Sequence, residues 1–143
     1  MNKKIHTAAI ILLIIYIIVS LYFLFTTVSL DVKDGLWSIP TDKIFHFLMF
    51  MPYPVIFWMI IKYGKKNYKK SFGVYFSAFT ISLILGSLTE IAQKYLSYSR
   101  NGDIKDLLAD ALGIIFALLL LWIFESRIDR LLLKLFADRK KSE

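Results

Sequence analysis

The sequence predicts an all-α integral membrane bundle of four transmembrane helices, followed by a C-terminal amphipathic helix or helical extension. Of the 143 residues, 57% are hydrophobic, whereas ordinary soluble domains are about 45–50% apolar. The apolar residues also fall into four runs of about 20, the length at which a helix crosses a hydrocarbon core about 30 Å thick. No internal repeat or low-complexity linker divides the chain, so residues 1–143 are expected to form a single domain.

The first two spans are predicted at residues 5–27 and 43–62. Two lysines precede the first span, as in a signal peptide, but its apolar stretch is too long and no A-x-A cleavage site follows, so we expect a retained helix. The second span contains the sequence "MPYP". Pro52 and Pro54 are expected to kink or break it near mid-membrane, because proline lacks an N–H and clashes with the preceding turn.

The third and fourth spans are predicted at residues 71–93 and 104–125. The tail that follows, "ESRIDRLLLKLF", has apolar residues at helical spacing and basic residues on the opposite face. This pattern is typical of a helix that lies on the inner leaflet with its cations toward anionic headgroups. A simple extension of the fourth span fits the same residues, and both interpretations stay open.

The distribution of basic residues predicts how the spans are oriented. Thirteen Lys and Arg residues lie in the N-terminus, the loop between the second and third spans and the C-terminal tail, and five lie in the other two connections. Basic loops stay in the cytoplasm, so both termini should be cytoplasmic and residues 28–41 and 94–103 outside. The net charge of +7 thus needs no nucleic-acid partner. The chain has no Cys, which excludes disulfides, thiolate nucleophiles and Cys-ligated metals.

This topology brings polar residues of three segments to one depth on the outer side. A single charge at a helix centre costs about 2.5–3.5 kcal/mol, while interhelical polar pairs average only about 0.6 kcal/mol. The cost favours a functional pocket over a clamp that merely holds helices together. The converging groups begin the second span, end the third and enter the fourth: Asp42, Lys43 and His46; Glu90 and Gln93; Asp103, Asp106 and Asp110.

Small residues share helix faces with these acids. Ser82 and Gly86 are four residues apart, as are Ala109, Gly113 and Ala117. Small-xxx-small patterns let helix backbones approach closely. The acidic stripes should therefore point into the bundle and away from lipid.

The blocks "TDKIFHF", "TEIAQ" and "RNGDIKDLLADALG" resemble the signature motifs of the VanZ family of small bacterial membrane proteins, over about residues 40–120. The resemblance implies a bundle of about four or five transmembrane helices in the bacterial cell membrane. It also implies a link to low-level resistance to teicoplanin, a lipidated glycopeptide antibiotic that acts at the cell envelope, and it assigns no catalytic role. One position departs from the family pattern, because Asp110 stands where Asn is usual. The motif positions fall on Asp42, Lys43, His46, Phe47, Glu90, Gln93, Arg100, Asp106, Asp110 and Gly113.

Two functions stay open. The first is an outward pocket that binds a lipoglycopeptide, an envelope lipid or a cell-wall precursor, with cations meeting phosphate or carboxylate groups. Its expected ligand-binding residues are Asp42, Lys43, His46, Glu90, Gln93, Arg100, Asp106 and Asp110.

The second is an intramembrane enzyme that modifies a lipid or a lipid-linked envelope precursor. His46, Glu90 and Asp106 are its catalytic candidates, as acid–base pairs or as ligands of a divalent cation. Carboxylates with one His suit Mg²⁺ or Mn²⁺ better than Zn²⁺. No helix carries a two-ligand motif such as H-x-x-x-H, so no metal ligand or cofactor is assigned. A transporter ranks third, because four helices without a repeat are few for alternating access.

Overall fold

The computed structural model describes residues 2–25, 41–65, 68, 70–96 and 104–136, and all regular secondary structure in this part of the chain is helical. Hydrophobic runs of this length form helices in a membrane because a helix satisfies its own backbone hydrogen bonds. The helices are α1 (Lys3–Phe25), α2 (Thr41–Phe50), α3 (Pro52–Gly64), α4 (Phe72–Leu96) and α5 (Ile104–Phe136).

Four segments are long and apolar enough to cross a membrane, and the second of them combines α2 with α3. The predicted all-α, four-span architecture is confirmed. The first span begins slightly earlier than expected, and the fourth continues well beyond residue 125. The segments are Lys3–Phe23, Asp42–Gly64, Phe72–Tyr95 and Ile104–Phe136.

The second span breaks at Met51, as its prolines predict. Pro52 is the first residue of α3, a position where the missing N–H removes no helical hydrogen bond. Next to the break, the hydroxyl of Tyr16 on α1 donates a hydrogen bond of 2.9 Å to the backbone carbonyl of Met49. A neighbouring helix thus supplies a donor to a carbonyl beside the interruption, where backbone groups have no water partner.

The tail continues α5 as one uninterrupted helix of 33 residues. At 1.5 Å per residue this helix is about 50 Å long, more than the roughly 30 Å of the hydrocarbon core. Ile128, Leu132 and Phe136 pack against the apolar cluster around Trp58 and Leu121. The structure therefore supports the second interpretation of the tail: it extends the fourth span and lengthens the bundle.

Helix α5 lies at the centre of the packing, with α2, α3 and α4 against it, while α1 packs on α3. The core has two apolar clusters. One surrounds Phe50 and Ile114 near the helix break, and the other surrounds Trp58 and Leu121 toward the end of α3. Many large apolar side chains face outward on every long helix. Such a surface is suited to lipid, because exposed patches of this extent are rare on soluble monomers.

Candidate functional site

The start of α2, the end of α4 and the start of α5 meet at one end of the bundle. There the Lys43 ammonium lies 3.1 Å from Asp42 Oδ2 and also pairs with Asp106 Oδ1 on α5. The Lys43 backbone N–H donates to Asp42 Oδ1 at 2.9 Å. Lys43 therefore ties the first turn of α2 to the first turn of α5.

His46 occupies the centre of this region and is 1% exposed. Its Nδ1 lies 3.0 Å from Asp110 Oδ1 and 3.6 Å from Glu90 Oε1, and its Nε2 lies 4.0 Å from Asp106 Oδ2. One imidazole from α2 thus faces three carboxylates from α4 and α5. We call these residues, with the two at the rim, the His46 cluster: Asp42, Lys43, His46, Glu90, Asp106 and Asp110.

Helical spacing and small residues together build the cluster. Asp106 and Asp110 are one turn apart and share a face of α5. One turn further, a Cβ at Gly113 would collide with the backbone carbonyl of Phe47, so the backbones of α2 and α5 touch there. On α4, a Cβ at Gly86 would lie 3.1 Å from Asp110 Oδ2. These contacts hold the carboxylates of α5 between α2 and α4.

Among the other predicted site residues, Gln93 is buried near the end of α4, three residues after Glu90. Arg100 and Asp103 lie outside the described residues, and Arg100 as a ligand-binding residue stays a prediction. The structure thus brings together six of the eight residues that the sequence nominated for ligand binding and buries a seventh nearby.

The His46 cluster holds more negative than positive charge. Four of its members are acids and one is a lysine, so within this group of described residues the carboxylates outnumber the ammonium groups. His46, Glu90 and Asp110 each offer a donor atom within 4.8 Å of the others, and all three are buried. A donor set of one imidazole and two carboxylates suits Mg²⁺ or Mn²⁺. The same arrangement could also move a proton between His46 and a carboxylate.

A family model described as VanZ/LLP1 matches residues 7–125. The chain belongs to the VanZ family. The matched segment includes every residue of the His46 cluster, so this cluster is part of the VanZ domain itself. No curated protein and no solved structure matches the chain.

The bundle holds a second polar group that the sequence pattern did not predict, centred on Glu125 near the opposite end. Glu125 Oε1 accepts hydrogen bonds from Tyr68 at 3.0 Å and from Lys62 at 3.2 Å. Its Oε2 accepts from Tyr75 at 2.7 Å and lies 3.1 Å from the Lys70 ammonium. We call this group, with two neighbours described below, the Glu125 network: Lys62, Tyr63, Tyr68, Lys70, Tyr75, Glu125 and Asp129.

Asp129 completes this network one turn along α5. It pairs with Lys62 at 3.1 Å and accepts a hydrogen bond from the Tyr63 hydroxyl. Burial, with the Glu125 carboxylate nearby, raises the pKa of Tyr68 to about 12, so this hydroxyl keeps its proton and donates. The donors and acceptors of the network pair with one another, which is typical of a structural clamp. The sequence does carry a signal of this network, because Glu125 ends an apolar run on the same predicted side of the membrane as a lysine-rich loop. The charges of that loop indicate the orientation of the spans, but they do not reveal a contact with Glu125.

We expect Glu125→Gln to lower the stability of this VanZ-family protein by about 2–3 kcal/mol. The amide keeps the size of the side chain but removes the charge that compensates Lys62 and Lys70, and stranding one partner of a buried ion pair costs about 3–5 kcal/mol. The expected loss lies below that range because Lys62 keeps Asp129 and Lys70 is half-exposed. Reversible unfolding in mixed detergent measures the change. Equal stability of Glu125→Gln and wild type would contradict the assignment of a clamp.

Proposed function

We propose that the His46 cluster is the outward-facing site at which this protein binds the polar head of an envelope molecule. The ligand would be a lipoglycopeptide of the teicoplanin type, an envelope lipid or a lipid-linked cell-wall precursor. Binding of this kind would link the protein to glycopeptide resistance at the bacterial cell envelope. The observation that carries the proposal is a group of six ionisable side chains at one end of the bundle, in which His46, Glu90, Asp106 and Asp110 are buried and Asp42 and Lys43 lie at the rim.

Energetics support a functional site over a clamp. Each buried charge costs up to about 2.5–3.5 kcal/mol in a membrane helix, and an interhelical polar pair returns only about 0.6 kcal/mol on average. The Glu125 network shows what a balanced clamp looks like in this chain, with every acid matched by lysines and tyrosines. In the His46 cluster the described acids outnumber the described cations. Buried groups of ionisable side chains are candidates for functional sites.

The exposure of the side chains supports an approach of the ligand from the rim. The side chain of Asp42 is 43% exposed and that of Lys43 is 17% exposed, whereas His46 and Asp110 are almost completely buried. A phosphate or carboxylate arriving at this end could bind the Lys43 ammonium by displacing Asp42 from it. Charge-assisted hydrogen bonds of this type are among the strongest available to a protein.

An intramembrane enzyme is the second candidate, and the surroundings of His46 favour it. An imidazole at 3.0 Å from one carboxylate and 3.6 Å from another can take up and return a proton. In this alternative, His46 with Glu90 or Asp106 would act as acid and base on a lipid or lipid-linked precursor held at the rim.

Incubation of the reconstituted protein with candidate ligands separates the two functions. The full chain in lipid nanodiscs is mixed with teicoplanin or with a lipid-linked cell-wall precursor, and the ligand is then recovered and analysed by mass spectrometry. Saturable binding with an unchanged ligand mass supports the binding site. A new product that depends on His46 supports the enzyme. If neither ligand binds saturably or yields a product, both functions are overturned for lipoglycopeptides and for cell-wall precursors.

The proposal requires that the His46 cluster faces outward, which cysteine labelling tests directly. In this Cys-free chain we expect Ser38→Cys to react with a membrane-impermeant maleimide on intact cells. Asn67→Cys should react only after the cells are opened, because the loop around it is rich in lysine and such loops remain inside. Labelling of Asn67→Cys on intact cells would reverse the orientation and place the cluster at the cytoplasmic face.

A further inference from the structure

His46, Glu90 and Asp110 are already arranged like ligands of one ion. His46 Nδ1 lies 3.0 Å from Asp110 Oδ1 and 3.6 Å from Glu90 Oε1. Neighbouring ligand atoms of an octahedral Mg²⁺ or Mn²⁺, with bonds of roughly 2.1 Å, lie about 3 Å apart. One donor pair therefore already has this separation, and the second requires a shift of well under 1 Å, which a side-chain rotation supplies.

A second observation concerns the other oxygen of Asp110. Asp110 is fully buried, and in the described part of the chain its Oδ2 has no hydrogen-bond partner. This oxygen faces α4 at Gly86, one turn before Glu90, where a Cβ would approach it to 3.1 Å. A buried carboxylate oxygen without a donor is rare in native structures and calls for an explanation such as an ion.

The opposite side of the imidazole has the surroundings expected of a metal ligand. His46 Nε2 lies 4.0 Å from Asp106 Oδ2, and Asp106 is itself paired with Lys43. Histidines that bind a metal through one nitrogen almost always direct the other N–H toward a carboxylate or another acceptor. Here Nδ1 faces Glu90 and Asp110 and Nε2 faces Asp106, whose separation of 4.0 Å must shorten before it can orient the ring through a hydrogen bond.

We propose that His46, Glu90 and Asp110 bind one divalent cation of the Mg²⁺ or Mn²⁺ class. A bound cation would offset the negative charge of the Glu90 and Asp110 carboxylates, since such an ion is often the largest local charge in its site. This proposal deepens the proposed function and rests on it for the role of the cation. That role is to make an acidic site attract the phosphate or carboxylate of an envelope ligand.

Manganese binding to the full chain in detergent tests the proposal without any envelope ligand. The protein is freed of metal with a chelator and titrated with Mn²⁺, while electron paramagnetic resonance measures the free ion. We expect a single Mn²⁺ per chain, displaced by excess Mg²⁺. Glu90→Gln and Asp110→Asn should each weaken binding by about tenfold or more, since even outer-shell changes cost that much. Asp129→Asn, the same change elsewhere on α5, should bind Mn²⁺ like wild type.

One further measurement tests the cation site independently of how the variants fold. Pulsed measurements on the wild-type complex should detect coupling of the Mn²⁺ electron spin to a directly bound imidazole nitrogen. Absence of this coupling, absence of Mn²⁺ binding, or equal affinity in wild type and both variants would overturn the cation site. Mn²⁺ binding without any affinity for teicoplanin or a cell-wall precursor would instead leave the cation site standing and refute the proposed function.

Discussion

Replacement of Gly113 by alanine is expected to destabilise the bundle by about 3 kcal/mol or more and to remove the His46 cluster. Overpacking of a tight interface costs about 1–3 kcal/mol, and more where nothing can move aside. Here the atom that a Cβ would meet is the backbone carbonyl oxygen of Phe47, with the Phe47 carbonyl carbon at 3.1 Å and its Cα at 3.3 Å. A backbone cannot change rotamer, so α2 must move away from α5. Gly113→Leu should be more severe still.

Gly73→Ala is the matched control, because its added Cβ would meet only the Ser71 side chain at 4.0 Å. This change is made in the exposed first turn of α4 and should be neutral or slightly stabilising, since alanine favours a helix over glycine. Reversible unfolding in mixed detergent compares the two variants with wild type. If Gly113→Ala unfolds like wild type, then α2 does not lie against α5 as the structure has it, and the geometry of the cluster loses its support.

The spans and the helix break were accessible from the sequence because a single physical constraint decides each of them. The length of each apolar run, compared with the bilayer thickness, indicates where a helix can cross. A proline inside such a run interrupts the helical hydrogen bonds, because it has no N–H to donate. The convergence of His46 with Asp106 and Asp110 was accessible for a related reason. Topology sets which helix ends share a side, and the period of the helix sets which residues share a face.

The Glu125 network and the role of the tail were not accessible in this way. Tyr68 and Lys70 lie in the connection between α3 and α4, whose path depends on how those helices pack. Their pairing with Glu125 is a tertiary contact with no local pattern. The tail had a helical pattern that fitted both a leaflet surface and a longer bundle. Contacts of Ile128 and Leu132 with the core around Trp58 decide between these, and such contacts follow from the assembled structure alone.

Removal of single charges from the His46 cluster is expected to abolish protection against a lipoglycopeptide while the protein remains folded. Glu90→Gln and Asp106→Asn keep the shape of the side chain, so they change charge at little packing cost. Asp106→Asn leaves no stranded cation, because Lys43 keeps Asp42 at 3.1 Å. Loss of a buried acid should be neutral or even stabilising where it leaves no cation stranded. Ligand affinity should nevertheless fall by about tenfold or more, since a hydrogen bond to a charged group contributes about 1.5–3 kcal/mol.

The decisive measurement pairs two readouts on each variant: detergent melting temperature, and growth under a teicoplanin-type antibiotic in a sensitive host. Glu90→Gln and Asp106→Asn should lose protection with melting temperatures close to wild type. His46→Ala should lose protection and also some stability, because it empties a buried position. Glu125→Gln should show the opposite pattern. Its melting temperature should fall, and its protection should decrease only in proportion to the loss of folded protein. If the His46 cluster were only a structural clamp, its charge variants would lose protection only as far as they lose stability. Full protection in all three variants, or loss that tracks stability, would therefore exclude a binding site at the His46 cluster.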